Sequence, residues 1–232
     1  MLTFGPIAFH LYGLLMALGI LAGAWVAARK DKKIWDALLW VVGGGIIGAR
    51  AYHVIDLWSY YQQHIAEIPA VWHGGLGIFG GILGGVIGLG IYTRNKKIFL
   101  KLLNAGAVGL PLGQAIGRLG NFFNQELYGR PTSLPWGIYI KPENRLVEVM
   151  DFERFHPLFL YEMIWDLIIF LILFRFVKKR QFAVYLVLYG LGRFFLEFLR
   201  IDPWKIGNID VAQGISVILV ISTAIYLWFS KK

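Results

Sequence analysis

The sequence predicts an all-α protein that crosses a membrane about seven times. Three observations carry that reading. Of its 232 residues, 57% are hydrophobic and the mean hydropathy is +0.60, above the roughly 45–50% apolar content of soluble domains. The apolar residues gather in segments close to the ~20 residues that span a ~30 Å hydrocarbon core. The basic residues are segregated by loop, the pattern that sets topology in membrane proteins. There is no cysteine, which excludes disulfides, a cysteine nucleophile and a zinc–thiolate site belonging to the chain. The net charge of +9 reflects loop segregation and not a nucleic-acid surface, so no nucleic-acid partner is expected.

The expected spans are 9–28, 34–55, 75–93, 98–120, 157–177, 182–200 and 208–229. The start Met1-Leu2-Thr3-Phe4-Gly5-Pro6 lacks a basic region and a small-residue cleavage site, so the first span is expected to persist. Glycines inside the spans, as in Gly43-Gly44-Gly45, Gly80-Gly81 and Gly84-Gly85, suit close helix packing in lipid. The fourth span is interrupted by Asn104, Pro111 and Gln114. No domain-scale repeat is visible, and residues 1–232 read as one integral membrane domain.

Orientation follows from the loops. Arg29, Lys30, Lys32 and Lys33 follow span one; Arg94, Lys96, Lys97 and Lys101 follow span three. Arg175, Lys178, Lys179 and Arg180 follow span five, and Lys231 and Lys232 follow span seven. Residues 56–74 contain neither lysine nor arginine. The positive-inside rule puts the N-terminus outside and the C-terminus in the cytoplasm. The connection 121–156 is then an outward-facing loop or cap. The unusual polar residues fall at the outer ends: His10 and Tyr12; Arg50, Tyr52 and His53; Arg118 and Asn121; His156, Tyr161 and Glu162; Arg193, Glu197 and Arg200. A transporter would place such groups near the midplane.

Charged groups beside hydrocarbon are costly and mark function by default. The run Gly117-Arg118-Leu119-Gly120-Asn121-Phe122-Phe123-Asn124-Gln125-Glu126-Leu127-Tyr128-Gly129 ends span four with one arginine, two asparagines and a glutamate. The planar fork of Arg118 suits a lipid phosphate; its plain alternative is snorkelling to the interface. In span six, Tyr189, Arg193, Glu197 and Arg200 fall within an arc of roughly 80°. Arg193 and Glu197 are placed to pair, either as a structural ion pair or as part of an anion site with one cation to spare. His156-Pro157 reads as a helix start, its histidine a cap or a proton carrier. Asp166 is expected to be a partnered structural acid, with Glu162 open. His10 and Tyr12 are interface anchors or site residues. The remaining histidines show no metal-ligand pattern, so neither metal nor cofactor is expected.

The run from Gly117 to Gly129, with its surroundings, resembles the signature of the prolipoprotein diacylglyceryl transferases. The likeness covers essentially the whole chain: His10-Leu11-Tyr12-Gly13-Leu14, Gly74-Gly75-Leu76, Arg130-Pro131-Thr132, Leu134-Pro135-Trp136, His156-Pro157 with Leu160-Tyr161-Glu162, Tyr189-Gly190 with Arg193, Glu197 and Arg200, and Gln213 with Ser216. It implies a bacterial inner-membrane enzyme of seven spans with an outward active site. Such an enzyme moves the diacylglyceryl group of phosphatidylglycerol to the lipobox cysteine of a prolipoprotein signal peptide and releases glycerol 1-phosphate. The partners implied are that lipid, that peptide and the surrounding membrane lipid. The matching positions are Tyr12, Arg118, Asn121, Asn124, Glu126, Gly129, Arg193, Glu197 and Arg200. The resemblance makes Arg118 the arginine that binds phosphatidylglycerol, and Arg193 the one essential for transfer.

The catalytic set expected is Arg193, Arg118, Glu197, Tyr12 and His10, with Glu197 and Glu126 orienting the arginines and His10 or Tyr12 handling the thiol proton. The lipid-binding set is Arg118, Asn121, Asn124, Glu126, Gly129 and Arg200. One departure stands out. The family often carries a histidine, proposed as a base, where this chain has Phe79. Either another group activates the thiol here, or that histidine is dispensable. The rival reading is an anion or lipid-head-group transporter without transferase activity. A different head-group enzyme would call for a paired-aspartate metal motif or a serine nucleophile elbow, and neither is present.

Overall fold

The computed structural model describes residues 2–4, 7–9 and 11–229. His10, Lys231 and Lys232 lie outside the described residues. Two short strands, β1 (Leu2–Phe4) and β2 (Ile7–Phe9), pair antiparallel. The helices are α1 (Leu11–Ala28), α2 (Ile34–Asp56), α3 (Trp58–Tyr61), α4 (Ile78–Thr93), α5 (Lys96–Asn124), α6 (Leu158–Arg175), α7 (Gln181–Glu197) and α8 (Val211–Phe229). Four of these, α1, α2, α5 and α8, are long and apolar enough to cross a membrane. The other expected spans fall short for visible reasons: α4 and α7 have 16 and 17 residues, and α6 carries Glu162, Asp166 and Arg175. Large apolar side chains such as Leu39, Ile47 and Trp228 are exposed, as in a multi-pass membrane protein.

The chain divides into two compact units. In residues 28–105, α2 and α4 pack backbone to backbone. A Cβ at Gly44 would lie 2.5 Å from the carbonyl oxygen of Gly84, and Gly48 and Gly80 are equally tight. Without a hydrophobic driving force between helices in lipid, small residues permit the contact that holds them. On α2, buried Arg50 donates through Nε to Ile68 O (2.8 Å) and through its two terminal nitrogens to Gly74 O (2.8 Å), Gly75 O (3.2 Å) and Glu67 O (2.6 Å). It also lies over the Tyr61 ring. One guanidinium thus satisfies the carbonyls of an irregular loop.

The second unit comprises the residues up to Ala27 and those from Gly106 onward. Gly19 and Gly23 of α1 meet Gly113 and Gly109 of α5 in the same manner. The interruptions expected in span four do not break it: α5 runs unbroken for 29 residues with Pro111 inside. Gln114 accepts a hydrogen bond from Tyr185 (3.0 Å).

The structure is mostly helical, as expected, and residues 125–156 form the long connection between α5 and α6. They hold the antiparallel pair β3 (Ile138–Tyr139) and β4 (Arg154–Phe155), two single 3-10 turns and a small core of Tyr128, Ile140, Val149 and Phe155. A third pair, β5 (Lys205–Ile206) with β6 (Ile209–Asp210), precedes α8.

Candidate active site

The site assembles where α5, α6 and α7 bring their charged residues together. Asp166 and Glu162 are one turn apart on α6, and Arg193 and Glu197 one turn apart on α7, so each pair shares a helix face. Arg118 of α5 reaches Glu162 at 2.8 Å and Asp166 at 4.0 Å. Arg193 lies 2.6 Å from Glu197 and 3.7 Å from Glu162, and Arg200 lies 3.8 Å from Glu197. The order is a chain of alternating charge: Asp166, Arg118, Glu162, Arg193, Glu197, Arg200.

Two expectations change here. The sequence suggested two arginines against one glutamate with a cation left over; Glu162 and Asp166 make the cluster three against three. Arg200 is also not on the helix, because α7 ends at Glu197. The backbone carbonyl of Leu199 accepts Arg130 N (2.8 Å) and that of Arg200 accepts Arg130 Nε (3.2 Å). These outside donors serve carbonyls past the helix end, and Pro203 lies three residues beyond Arg200.

Charge balance does not make the cluster uniform. The side chains of Glu197, Asp166 and Glu162 are 1%, 5% and 9% exposed, whereas those of Arg118, Arg193 and Arg200 are 27%, 22% and 32% exposed. The acids lie behind and the guanidinium groups in front. A guanidinium has five donors, so a carboxylate contact leaves others for an arriving anion.

The end of α5 supplies the polar groups beside this cluster. Buried Asn121 donates to Glu126 Oε1 at 2.8 Å, and Asn124 to the same oxygen at 3.4 Å. Glu126 is therefore placed with the asparagines and not, as expected, against the arginines. The chain leaves α5 through Gln125 and Leu127, both with left-handed backbone (φ 53° and 54°), a conformation non-glycine residues adopt at a cost of roughly 1–2 kcal/mol. Gln125 Oε1 accepts from Lys141 N and Asn144 Nδ2, and Leu127 O accepts from Phe159 N at the start of α6 (3.0 Å). Gly129 comes so close to the chain just past α7 that a Cβ would lie 2.9 Å from Leu199 O. Its N–H donates to His156 O (2.8 Å).

Tyr12 of α1 lays its ring on Gly120 of α5, in space a side chain there would occupy. His10 lies outside the described residues. Phe79 opens α4 in the other unit, 52% exposed, its ring 6.1 Å from that of Tyr52. Among the described residues no three histidine or acidic side chains converge as a metal site. The sequence reading left Glu162 open although it contacts both arginines. The available signal was its i,i+4 spacing from Asp166 in an apolar helix.

The chain matches the protein family described as prolipoprotein diacylglyceryl transferase over residues 1–229. Relatives named phosphatidylglycerol–prolipoprotein diacylglyceryl transferase include one from Fervidobacterium nodosum, 44% identical over 98% of this chain and 84% of the relative. Another, from a Nostoc species, is 43% identical over 92% and 82%. A third, from Clostridioides difficile, is 41% identical over 95% and 91%. With a match of that extent, this chain belongs to the prolipoprotein diacylglyceryl transferase family.

Proposed function

We propose that the chain transfers the diacylglyceryl group of phosphatidylglycerol to the lipobox cysteine thiol of a prolipoprotein, releasing glycerol 1-phosphate, as the first step of lipoprotein maturation. The observation that carries this reading is the fringe of partly exposed guanidinium groups backed by buried carboxylates. A transporter site near the midplane has no comparable support.

The reaction displaces phosphate from the glycerol C3 carbon by sulfur. The C–S bond forms as the C–O bond breaks, and the electron pair of that bond leaves with the phosphate oxygen. Arg118 and Arg193 hold the phosphate through donors not engaged by the acids, so the charge growing on the leaving oxygen meets fixed positive groups in a poorly hydrated site. Glu162 fixes the spacing of these two arginines, and Glu197 fixes Arg193 and draws Arg200 toward the head group. Asn121, Asn124 and Glu126, beside the Gly129 turn, bind the glycerol hydroxyls. The thiol, with an ordinary pKa near 8.5, must lose its proton; Tyr12 or His10 handles it. The released phosphate monoester, with a second pKa near 6, can carry that proton away.

The chain has seven spans, α4, α6 and α7 included, in a bacterial inner membrane, with the N-terminus and site outside and the C-terminus in the cytoplasm. The loop charges support this. Residues 121–156 form the outer cap of one integral domain over residues 1–232.

The test is a transfer assay with purified protein, acyl-labelled phosphatidylglycerol and a lipobox peptide with one cysteine. A diacylglyceryl mass gain on that cysteine, absent with a Cys→Ser peptide, is expected. Arg193→Ala should abolish it; unchanged turnover would overturn the arginine clamp.

A further inference from the structure

Arg200 is the arginine of the charged cluster least secured by its own side chain. Its contact with Glu197, 3.8 Å through Nε, is too long for a hydrogen bond. It also lies beyond α7, where the chain closes in tightened bonds: Leu199 N–H donates to Leu196 O (3.1 Å) and Arg200 N–H to Glu197 O (3.0 Å). Such i,i+3 bonds finish a helix but leave the carbonyls of Leu199 and Arg200 without helical partners.

Both carbonyls are taken by Arg130. Its N–H donates to Leu199 O (2.8 Å) and its Nε to Arg200 O (3.2 Å). Arg130 is itself held from the other side. Its carbonyl accepts His156 N–H (3.0 Å), Gly129 N–H donates to His156 O (2.8 Å), and Thr132 N–H donates to Arg154 O (3.0 Å). Pro131 forms an antiparallel bridge with Phe155. Phe155 is fully buried in the small core of the connection, and Ile201, the residue after Arg200, packs on that same core. Arg130 therefore ties an ordered, strand-like segment to the turn that carries Arg200.

The geometry points to Arg130 as a positioning residue for Arg200, fixing where that guanidinium stands beside Glu197 to meet the lipid head group. This rests on the reading of the arginines given above. The competing role is charge. No ion pair among the described residues includes Arg130, so its uncompensated cation could attract an anion without positioning anything.

Two variants of matched length separate position from charge. In Arg130→Gln the amide nitrogen stands as many bonds from Cα as Nε does, so the donor to Arg200 O remains and the charge is gone. Arg130→Met has a methyl at that point and loses both. The backbone bond to Leu199 O survives in each. In the transfer assay Arg130→Met should raise KM for phosphatidylglycerol about five- to ten-fold, the scale of one hydrogen bond, with kcat nearly unchanged, the mark of lost ground-state binding. Arg130→Gln should stay close to wild type in both. In an Arg200→Ala background Arg130→Met should have no further effect, because the group it positions is gone. A KM raised equally in Arg130→Gln and Arg130→Met would assign the effect to charge and overturn the proposal. So would an unchanged KM in Arg130→Met, or an undiminished effect without Arg200. Should Arg130→Met not fold by circular dichroism, Arg130→Gln decides alone: a wild-type KM supports the tie, and a KM as high as that of Arg200→Ala overturns it. Because the chain has no cysteine, a nitroxide on Asp202→Cys reports on the same turn without turnover. Its motion should rise in Arg130→Met and not in Arg130→Gln; equal motion in the two variants overturns the tie. If the wild type transfers nothing to peptide, the transferase reading fails, while the nitroxide still decides whether Arg130 holds the turn.

Discussion

Glu162→Gln separates positioning of the arginines from simple charge compensation. Glu162 contacts Arg118 at 2.8 Å and Arg193 at 3.7 Å, and only 9% of its side chain is exposed. A hydrogen bond to a charged group contributes about 1.5–3 kcal/mol net. Glutamine keeps the shape and removes the charge. The arginines retain their other partners, Arg118 with Asp166 at 4.0 Å and Arg193 with Glu197 at 2.6 Å, so the protein should fold but hold the clamp loosely. At about 1.4 kcal/mol per decade, that loss corresponds to a fall in kcat of roughly ten- to one-hundred-fold. KM for phosphatidylglycerol should stay within about three-fold, because the spare donors proposed to bind phosphate are still present. The assay is initial-rate transfer to a lipobox peptide over a range of lipid fractions, with circular dichroism to establish folding. A rise in kcat with a fall in KM would show that Glu162 competes with the phosphate, and would refute the positioning argument.

Three further outcomes test the fold. Gly84→Ala should lower thermal stability by about 1–3 kcal/mol, the scale of overpacking, because its methyl would collide with Gly44 O; Gly90→Ala, with nothing within 4 Å, should leave the melting temperature unchanged. Arg50→Lys loses most of four donor contacts to Glu67, Ile68, Gly74 and Gly75 and should cost about 3 kcal/mol, read as faster proteolysis of residues 62–77; wild-type resistance would show that the loop holds without the guanidinium. Asp31 is held below its ordinary range chiefly by its hydrogen bond from Lys101, with help from the Lys33 N–H against the opposing effect of burial. A depressed pKa adds stability above the unfolded value near 3.9 and loses it as pH falls through the folded one. Wild type should therefore exceed Asp31→Asn in melting temperature at pH 6, with the gap closing by pH 3; a constant gap would dismiss the linkage.

The extent of the fold legible in the sequence follows from which residues carry periodic signals. The seven long helices lie close to the expected spans because long apolar runs mark them, several closed by basic residues. The end of α7 was misplaced for the same reason: the apolar face continues through Phe198 and Leu199, while the event that ends the helix is Arg130 docking on carbonyls 70 residues away. Residues 125–156 were unreadable because their order comes from single side chains serving the backbone. The Tyr128 hydroxyl donates to Asn144 O and accepts from Leu146 N, and no periodicity announces such bonds.

The arginines were legible as cost, and their partners were not. Arg118, Arg193 and Glu197 stand out because ionised groups are expensive near hydrocarbon, but the sequence cannot show which carboxylate faces which guanidinium across three helices. That pairing decides how the site holds together before substrate arrives. Three arginines without counter-charges would repel one another in a medium of low dielectric. With Asp166, Glu162 and Glu197 interleaved behind them, the cluster is formally neutral yet keeps its guanidinium edges forward. On the proposed reading, a lipid phosphate binds by adding to the donors in front, without expelling an acid from behind. This arrangement suits an enzyme that must release one phosphate product and receive the next lipid without rebuilding its site.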